Sequence, residues 1–217
     1  SLFLALTLGC LVAMRAERWA AAGLLGACAS LTRINGLILL PVLFVEAGLL
    51  WRARRRFDPR WLWSGAVVAG FLGYLWLNYY ATGDAFAFGH IQEEHWYKKL
   101  TPPWVGVRDV WLRVGGVNAM EGLHEFIFIL LTLAATIWCW WKSRLSYALW
   151  MTCNWLLFTT TTFVLSVPRY ALTLFPIFIL LGRNCAHRRL LAGLVSVTSL
   201  VFMALYVQRF VHGLWAF

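Results

Sequence analysis

Few residues in this chain have side chains suited to chemistry, and two arginines stand out among them. Arg33 lies in Leu31-Thr32-Arg33-Ile34-Asn35-Gly36 and Arg169 in Ser166-Val167-Pro168-Arg169-Tyr170, each at a short break between apolar runs. A cation at such a place is costly unless it is paired or reaches headgroups. Guanidinium holds phosphate oxygens in a fixed fork, so a lipid phosphate is a natural ligand. Snorkelling to ordinary headgroups, or pairing with a nearby carboxylate, is the competing role. Asp84, Glu93 and Glu94 are the carboxylates best placed to meet a substrate on the same side. A carboxylate there could take the proton of an attacking hydroxyl while cations stabilise a leaving phosphate. Spacing alone does not single out one of the three.

Two clusters carry metal-ligand residue types: His90-Ile91-Gln92-Glu93-Glu94-His95 and Glu121-Gly122-Leu123-His124-Glu125. On a helix His90 and Glu94 share a face, but His90 and His95 lie about 140° apart. Neither the H-E-x-x-H nor the H-x-x-E-H spacing of zinc proteases is present. Glu121 and His124 are read as solvated charges flanking the next apolar run, and no metal site is expected. No glycine-rich phosphate loop follows a strand-like segment, and Ser64-Gly65 lacks the context of a nucleophile elbow. Glu46, inside an apolar run, is expected to pair with the cluster Arg52 to Arg56.

The elements that must position these residues follow from composition. The chain is 61% hydrophobic and only 13% charged, about half the charge of an ordinary soluble domain, so hydrocarbon is its main solvent. Trp51, Trp61, Trp63, Tyr79, Tyr80, Trp140 and Trp141 end apolar runs, where amphipathic rings meet headgroups. The net charge of +10 is spread in short clusters between apolar stretches, with no polar domain to hold a nucleic-acid groove. Cys10, Cys28, Cys139, Cys153 and Cys185 lie in or beside apolar runs without CxxC spacing and read as small apolar fillers.

Eight apolar segments emerge, near 1–14, 19–31, 35–51, 61–81, 126–141, 145–165, 170–182 and 190–210. Helices are the spanning elements this pattern allows, which predicts an all-α bundle of seven or eight transmembrane spans. Assigning loops to alternate sides puts twelve Lys and Arg on one side, among them Arg15, Arg54, Lys142, Arg144 and Arg183. The other side receives seven, nearly matched by six carboxylates. By the positive-inside rule the first side is cytoplasmic, and the loop 82–125 faces periplasm or lumen. The chain thus divides into helices 1–81, an outer loop 82–125 and helices 126–217.

That loop mixes Phe86, Phe88, Trp96, Tyr97, Trp104, Val110 and Trp111 with charge, as helices lying in a membrane interface do. Gly83, Pro102, Pro103, Gly115 and Gly116 cut it into short pieces, so one or two interfacial helices are expected. The tract Thr159 to Thr162 reads as hydroxyls back-bonding to helical carbonyls at a helix end. The chain begins inside an apolar run whose 14 residues would span only about 21 Å of a core of roughly 30 Å, so further turns are expected upstream.

Three stretches, taken together, resemble the PIG-V-like mannosyltransferases, multi-span enzymes of the GT-C superfamily. Thr32-Arg33-Ile34-Asn35-Gly36 running into Leu39-Leu40-Pro41 is similar to the family's T-R-x-N-G turn. Thr82-Gly83-Asp84 with Phe86, Gln92, Trp96 and Pro103-Trp104 is similar to its G-D motif followed by Q-x-x-W and Pro-Trp. Pro168-Arg169-Tyr170 with Leu174-Phe175-Pro176 is similar to its R-Y-x-L-x-x-F-P segment. The resemblance implies a dolichyl- or polyprenyl-phosphate sugar donor and a lipid or glycan acceptor on the outer face, with no cofactor. It implies that Arg33 and Arg169 hold the lipid phosphate and that Gln92, Trp96 and Trp104 shape the sugar or acceptor site. Asp84, Glu93 and Glu94 belong to that loop site, and Thr32, Asn35, Gly36 and Tyr170 support the motifs. In this superfamily the catalytic carboxylate usually follows the first span, which puts the expected base upstream of Ser1 and leaves this stretch alone inactive.

A transporter or lipid flippase is the competing reading, since broken helices and edge arginines also suit passage of anionic lipids. Transporters keep ionisable groups near the midplane, whereas the spans here are nearly free of charge. No Asn-x-Ser/Thr sequon occurs, which fits a bacterial inner membrane better than the endoplasmic reticulum.

Overall fold

A computed structural model describes residues 2–116 and 119–213. Among these the chain is helical throughout and contains no strand, only an isolated antiparallel bridge between Leu100 and Thr161. The helices are α1 (Leu2–Arg15), α2 (Trp19–Thr32), α3 (Leu39–Arg54), α4 (Ala66–Thr82), α5 (Ala87–Trp96), α6 (Pro103–Val114), α7 (Ala119–Lys142), α8 (Leu145–Thr159), α9 (Val167–Ala171), α10 (Pro176–Cys185) and α11 (Arg189–Val211). A 3-10 turn at Ile34–Ile38 runs into α3, and another at Pro59–Gly65 runs into α4. Among the described residues three stretches are long and apolar enough to cross a membrane: Ile34–Arg54, α7 and α11. The remaining apolar helices are shorter, 14 residues each in α1 and α2.

Local chemistry sets the helix ends. Asp58 accepts a hydrogen bond from the Arg60 amide, with Pro59 in the first turn. Gly83, at φ 78°, ends α4 by donating its N–H to Tyr79. Pro103 and Pro176 begin α6 and α10, where a missing N–H costs nothing.

The packing is that of a protein whose outside is apolar. Helix α7 buries Gly122, Glu125, Ile129, Thr132, Thr136 and Cys139, a mainly small and polar stripe, while Leu123, Ile127, Leu130 and Leu131 are exposed. Water as solvent would favour the reverse. Thr132 and Thr136 satisfy their hydroxyls on the carbonyls of Phe128 and Thr132, both at 2.7 Å. Helix α11 buries no residue and exposes Leu190, Leu194, Phe210 and Val211. Small residues bring α2 into backbone contact with α4 and with the 3-10 turn before it. A Cβ on Gly70 would lie 2.1 Å from the Ala27 carbonyl oxygen, and one on Gly23 would lie 2.1 Å from that of Trp63.

One buried cluster runs from Cys10 and Leu39 through Trp150 to Leu174, so helices on both sides of the loop share a core. Phe3 stacks on Trp150 at 6.5 Å, and the Trp150 indole N–H donates to the Thr173 carbonyl at 2.9 Å.

Charge gathers at two ends of this bundle. At one, Glu46 bonds Arg15 at 3.0 Å and lies 3.9 Å from Arg144, Arg54 pairs with Glu17, and Arg183 reaches the Lys142 carbonyl. At the other stand Asp84, His90, Glu93, Lys99, Glu121 and Arg209. The expected pairing of Glu46 with Arg52 to Arg56 is therefore corrected. Arg52, six residues on, lies roughly 120° round the helix from Glu46, whose side chain turns inward to α1 and α8.

The segment expected to be a loop, 82–125, is bounded by helices: α4 runs through Thr82 and α7 begins before 125. Helix α7 starts at Ala119, so Glu121, His124 and Glu125 are helical rather than solvated loop charges. Two helices, α5 and α6, occupy the segment. Thr159, Thr160 and Thr161 return their hydroxyls to the α8 carbonyls, whereas the Thr162 hydroxyl donates to Tyr97 of the loop at 2.7 Å.

Candidate functional site

A cavity of about 600 Å³ lies at the loop-bearing end of the bundle, between α5, the segment after it, the end of α8, the 34–38 turn and α9. Its walls are aromatic and aliphatic, from Phe86, Phe88, Leu157, Phe158 and Leu165. Its polar groups are Asn35, His90, Gln92, Glu93, Lys98, Lys99, Thr161 and Tyr170. An apolar enclosure with a few convergent polar groups is the usual form of a small-ligand site.

Each wall is held by local bonding. Asp84 accepts the Phe86 amide at 2.9 Å and meets His90 Nδ1 at 2.6 Å, which fixes the entry to α5. The Phe86 N–H, followed by the His90 ring, holds the Asp84 carboxyl below its ordinary value. Tyr97, in left-handed backbone at φ 52°, ends α5 and turns the chain back over the cavity. The returning segment docks on the end of α8. Lys99 N–H donates to the Thr162 hydroxyl at 2.8 Å, Thr162 N–H to the Lys99 carbonyl at 2.9 Å, and Thr101 N–H to the Thr160 carbonyl at 2.9 Å. Asn35 reaches Asn154 of α8 at 3.4 Å, and Asn154 is itself anchored on the Trp150 carbonyl.

Charge in the cavity is mostly neutralised. Lys99 pairs with Glu93 at 2.9 Å, and His90 with Asp84. Lys98 forms no ion pair among the described residues. Its ammonium is 3.4 Å from the Tyr170 hydroxyl and 5.5 Å from the centre of that ring. Tyr170 in turn stacks on Phe158, 6.1 Å between centres and 8° between planes. A half-buried cation against an aromatic wall, with no carboxylate in contact and only a longer-range attraction to Glu125, suits an anionic ligand. Among the described residues no three His, Cys, Asp or Glu side chains are grouped to hold a metal ion.

The structure gathers Asn35, Gln92, Glu93 and Tyr170 around this cavity. Asp84 supports it from behind. Thr32 bonds the Ala29 carbonyl, and Gly36 is buried against the backbone of α2, so both shape the turn that carries Asn35. Glu94, Trp96 and Trp104 are exposed and do not line it. Arg33 is exposed at the end of α2, beside the lining residues Ile34 and Asn35 but not lining the cavity itself. Arg169 lies over the Tyr170 ring at 5.8 Å and lines a different cleft of about 850 Å³, walled by Phe128, Leu131, Leu172, Leu194 and Phe202. Of the two arginines, only Arg169 lines a cavity, while their chain neighbours Ile34 and Tyr170 both line the first one. Lys98 is the cavity residue that spacing did not reveal, because its partner Tyr170 is 72 positions away. No family model, curated protein or solved structure matches the chain.

Proposed function

We propose that this protein is a multi-span membrane glycosyltransferase of GT-C type, moving mannose or a related sugar from a polyprenyl- or dolichyl-phosphate donor to a lipid or glycan acceptor. The observation that carries the reading is the cavity at the loop-bearing end, where Lys98 forms no ion pair within 4 Å among the described residues and stands beside the Tyr170–Phe158 stack. A sugar phosphate on a long isoprenoid needs a cation for its phosphate, ring faces for its pyranose and an apolar path for its tail. Lys98 supplies the first and Tyr170 and Phe86 suit the second. The cleft beside Arg169 suits the third and sets a second cation near it. Charge clustering at both ends and the apolar outside of α7 and α11 support a bundle embedded in a membrane, and we take it to have seven or eight spans with the loop end facing outward.

In the reaction the bond from sugar C1 to phosphate oxygen breaks and the phosphate leaves with the electron pair, stabilised by the cations. The acceptor oxygen bonds to C1 and gives its proton to a carboxylate base. Glu93 lines the cavity but is occupied by Lys99, so it is poorly suited to be that base. A transporter has less support: Glu46 and Glu125 stand near opposite ends of the bundle, and each is already bonded.

The test uses the full-length protein in nanodiscs with radiolabelled polyprenyl-phosphate mannose. Label is expected to move to a lipid or glycan acceptor, with Lys98→Met at least about tenfold slower, the loss expected for one charge-assisted contact. Transfer from nucleotide-linked mannose instead, or a Lys98→Met protein as active as the parent, would refute the reading.

A further inference from the structure

Glu125 does not line the cavity, yet it is the most deeply buried carboxylate among the described residues. It is 3% exposed, and its two oxygens accept the backbone N–H groups of Ser166 at 2.6 Å and Val167 at 2.7 Å. Ser166 has φ 66°, a left-handed conformation uncommon for a residue with a Cβ. Successive N–H groups of such a turn converge on an anion, and here the anion is supplied by the protein itself.

The strap 160–166, between α8 and α9, is held from its other side by α6. Arg113 donates to the Val164 carbonyl, and its guanidinium lies over the Phe163 ring at 5.1 Å. Phe163 is also left-handed, at φ 50°. The strap therefore offers a carbonyl to a cation and two amides to a carboxylate. Helix α6 can lie this close to α7 because Gly122, three residues before Glu125, has no side chain: a Cβ there would sit 2.8 Å from the Arg113 carbonyl carbon.

The consequence reaches the cavity through the backbone. Arg169 and Tyr170 donate their N–H groups to the Ser166 carbonyl at 3.1 and 3.2 Å, so fixing Ser166 fixes the first turn of α9. Tyr170 then meets Phe158 on one side and Lys98 on the other.

We propose that Glu125 is a positioning residue for the cavity. By clamping the amides of Ser166 and Val167 it sets the seat of α9, and through Tyr170 it sets where the Lys98 ammonium stands. A neutral isostere cannot replace it: Glu125→Gln turns an NH₂ group toward one of the two N–H donors and loses that bond. The purpose of the clamp rests on the function proposed above, but two of its readouts need no ligand.

The experiment compares the full chain in nanodiscs with Glu125→Gln, Glu125→Ala and Glu125→Asp. Ile129→Ala, a buried position one turn along α7 that bonds neither Ser166 nor Val167, serves as the stability control. Amide exchange at 166 and 167 is expected to quicken at least about tenfold in the Gln and Ala variants, as loss of one good hydrogen bond implies. Acetylation of the half-buried Lys98 should rise several-fold relative to exposed Lys142. Glu125→Asp should restore part of both effects, and Ile129→Ala should change neither. If Glu125→Ala does not fold, the isosteric Gln variant carries the comparison. Unchanged exchange, unchanged Lys98 labelling, or equal changes in Ile129→Ala would overturn the proposal. Farnesyl phosphate is the binding probe, expected about tenfold weaker in the Gln variant. Equal binding to the Gln variant and its parent would overturn the positioning role even with faster exchange. If the parent itself fails to bind farnesyl phosphate, the function proposed above falls, while exchange and labelling still decide the clamp.

Discussion

Replacing Gly36 with alanine probes how the turn beneath the cavity is built. A Cβ at Gly36 would lie 2.4 Å from the Ser30 nitrogen, 2.5 Å from the Ala29 carbonyl carbon and 2.5 Å from the Ser30 Cα. Ordinary contact is roughly 3.5 Å, so the turn must retreat by about 1 Å. All three atoms are backbone and none can rotate away. Overpacking costs about 1–3 kcal/mol, and a rigid neighbour puts Gly36→Ala at about 2–3 kcal/mol. The same retreat draws Asn35 from Asn154, a contact already at 3.4 Å. Gly48→Ala is the matched control, because it lies within α3 with nothing within 4 Å of its Cβ. Alanine there should stabilise by about 0.5–1 kcal/mol. Both are measured by tryptophan fluorescence during unfolding in mixed micelles of rising dodecyl sulfate content. A Gly36→Ala protein within about 0.5 kcal/mol of the parent, or a Gly48→Ala protein equally harmed, would refute the packing argument.

Lys98→Met should weaken farnesyl phosphate binding about tenfold by calorimetry, with a smaller effect from Lys99→Met because Glu93 already neutralises Lys99. Asp84 has a folded pKa below its unfolded value of about 3.9. Its contribution to the α5 entry is therefore present above that unfolded value and is lost as pH falls through the depressed one. Amide exchange at Phe86, corrected for intrinsic rates, should accelerate only in that acid range, and the step should vanish in Asp84→Ala. At the opposite end, Glu46→Leu strands Arg15 and should cost about 1–3 kcal/mol in the same unfolding assay. Glu17→Ala, which breaks the exposed pair with Arg54, should leave the unfolding midpoint in that assay unchanged.

What the sequence made legible was set by periodicity and charge, and what it hid was set by distance. Alternating the charged loops separates Arg15, Arg54, Lys142 and Arg144 from Lys99 and Arg209, and the folded chain keeps these sets at opposite ends. The end of α4 at Thr82 follows from Gly83, a residue suited to a left-handed stop. The start of α7 was obscured because Glu121, His124 and Glu125 look like loop charges. Yet Gly122, Glu125, Ile129, Thr132, Thr136 and Cys139 recur at three- and four-residue steps, the buried stripe of one helix. That periodicity was the available sign that Glu125 points inward. Nothing comparable marks Lys98, whose contact with Tyr170 depends on how the 97–101 segment docks on α8. The motif residues divide the same way. Asn35, Gln92 and Tyr170 converge on the cavity, whereas Arg169 lines the second cleft and Arg33 lines neither.

The central claim is that a lipid-linked sugar phosphate occupies the cavity beside Lys98 and Tyr170. The most direct measurement is photo-crosslinking of the protein in nanodiscs with a polyprenyl-phosphate mannose carrying a diazirine on the sugar, followed by peptide mapping. The account predicts labelled peptides from 86–100 and 157–170, the two stretches that wall the cavity. It also predicts that unmodified polyprenyl-phosphate mannose competes the label away and that Lys98→Met reduces it. Label spread along the lipid-facing surface of α11, unaffected by competitor or by Lys98→Met, would contradict it.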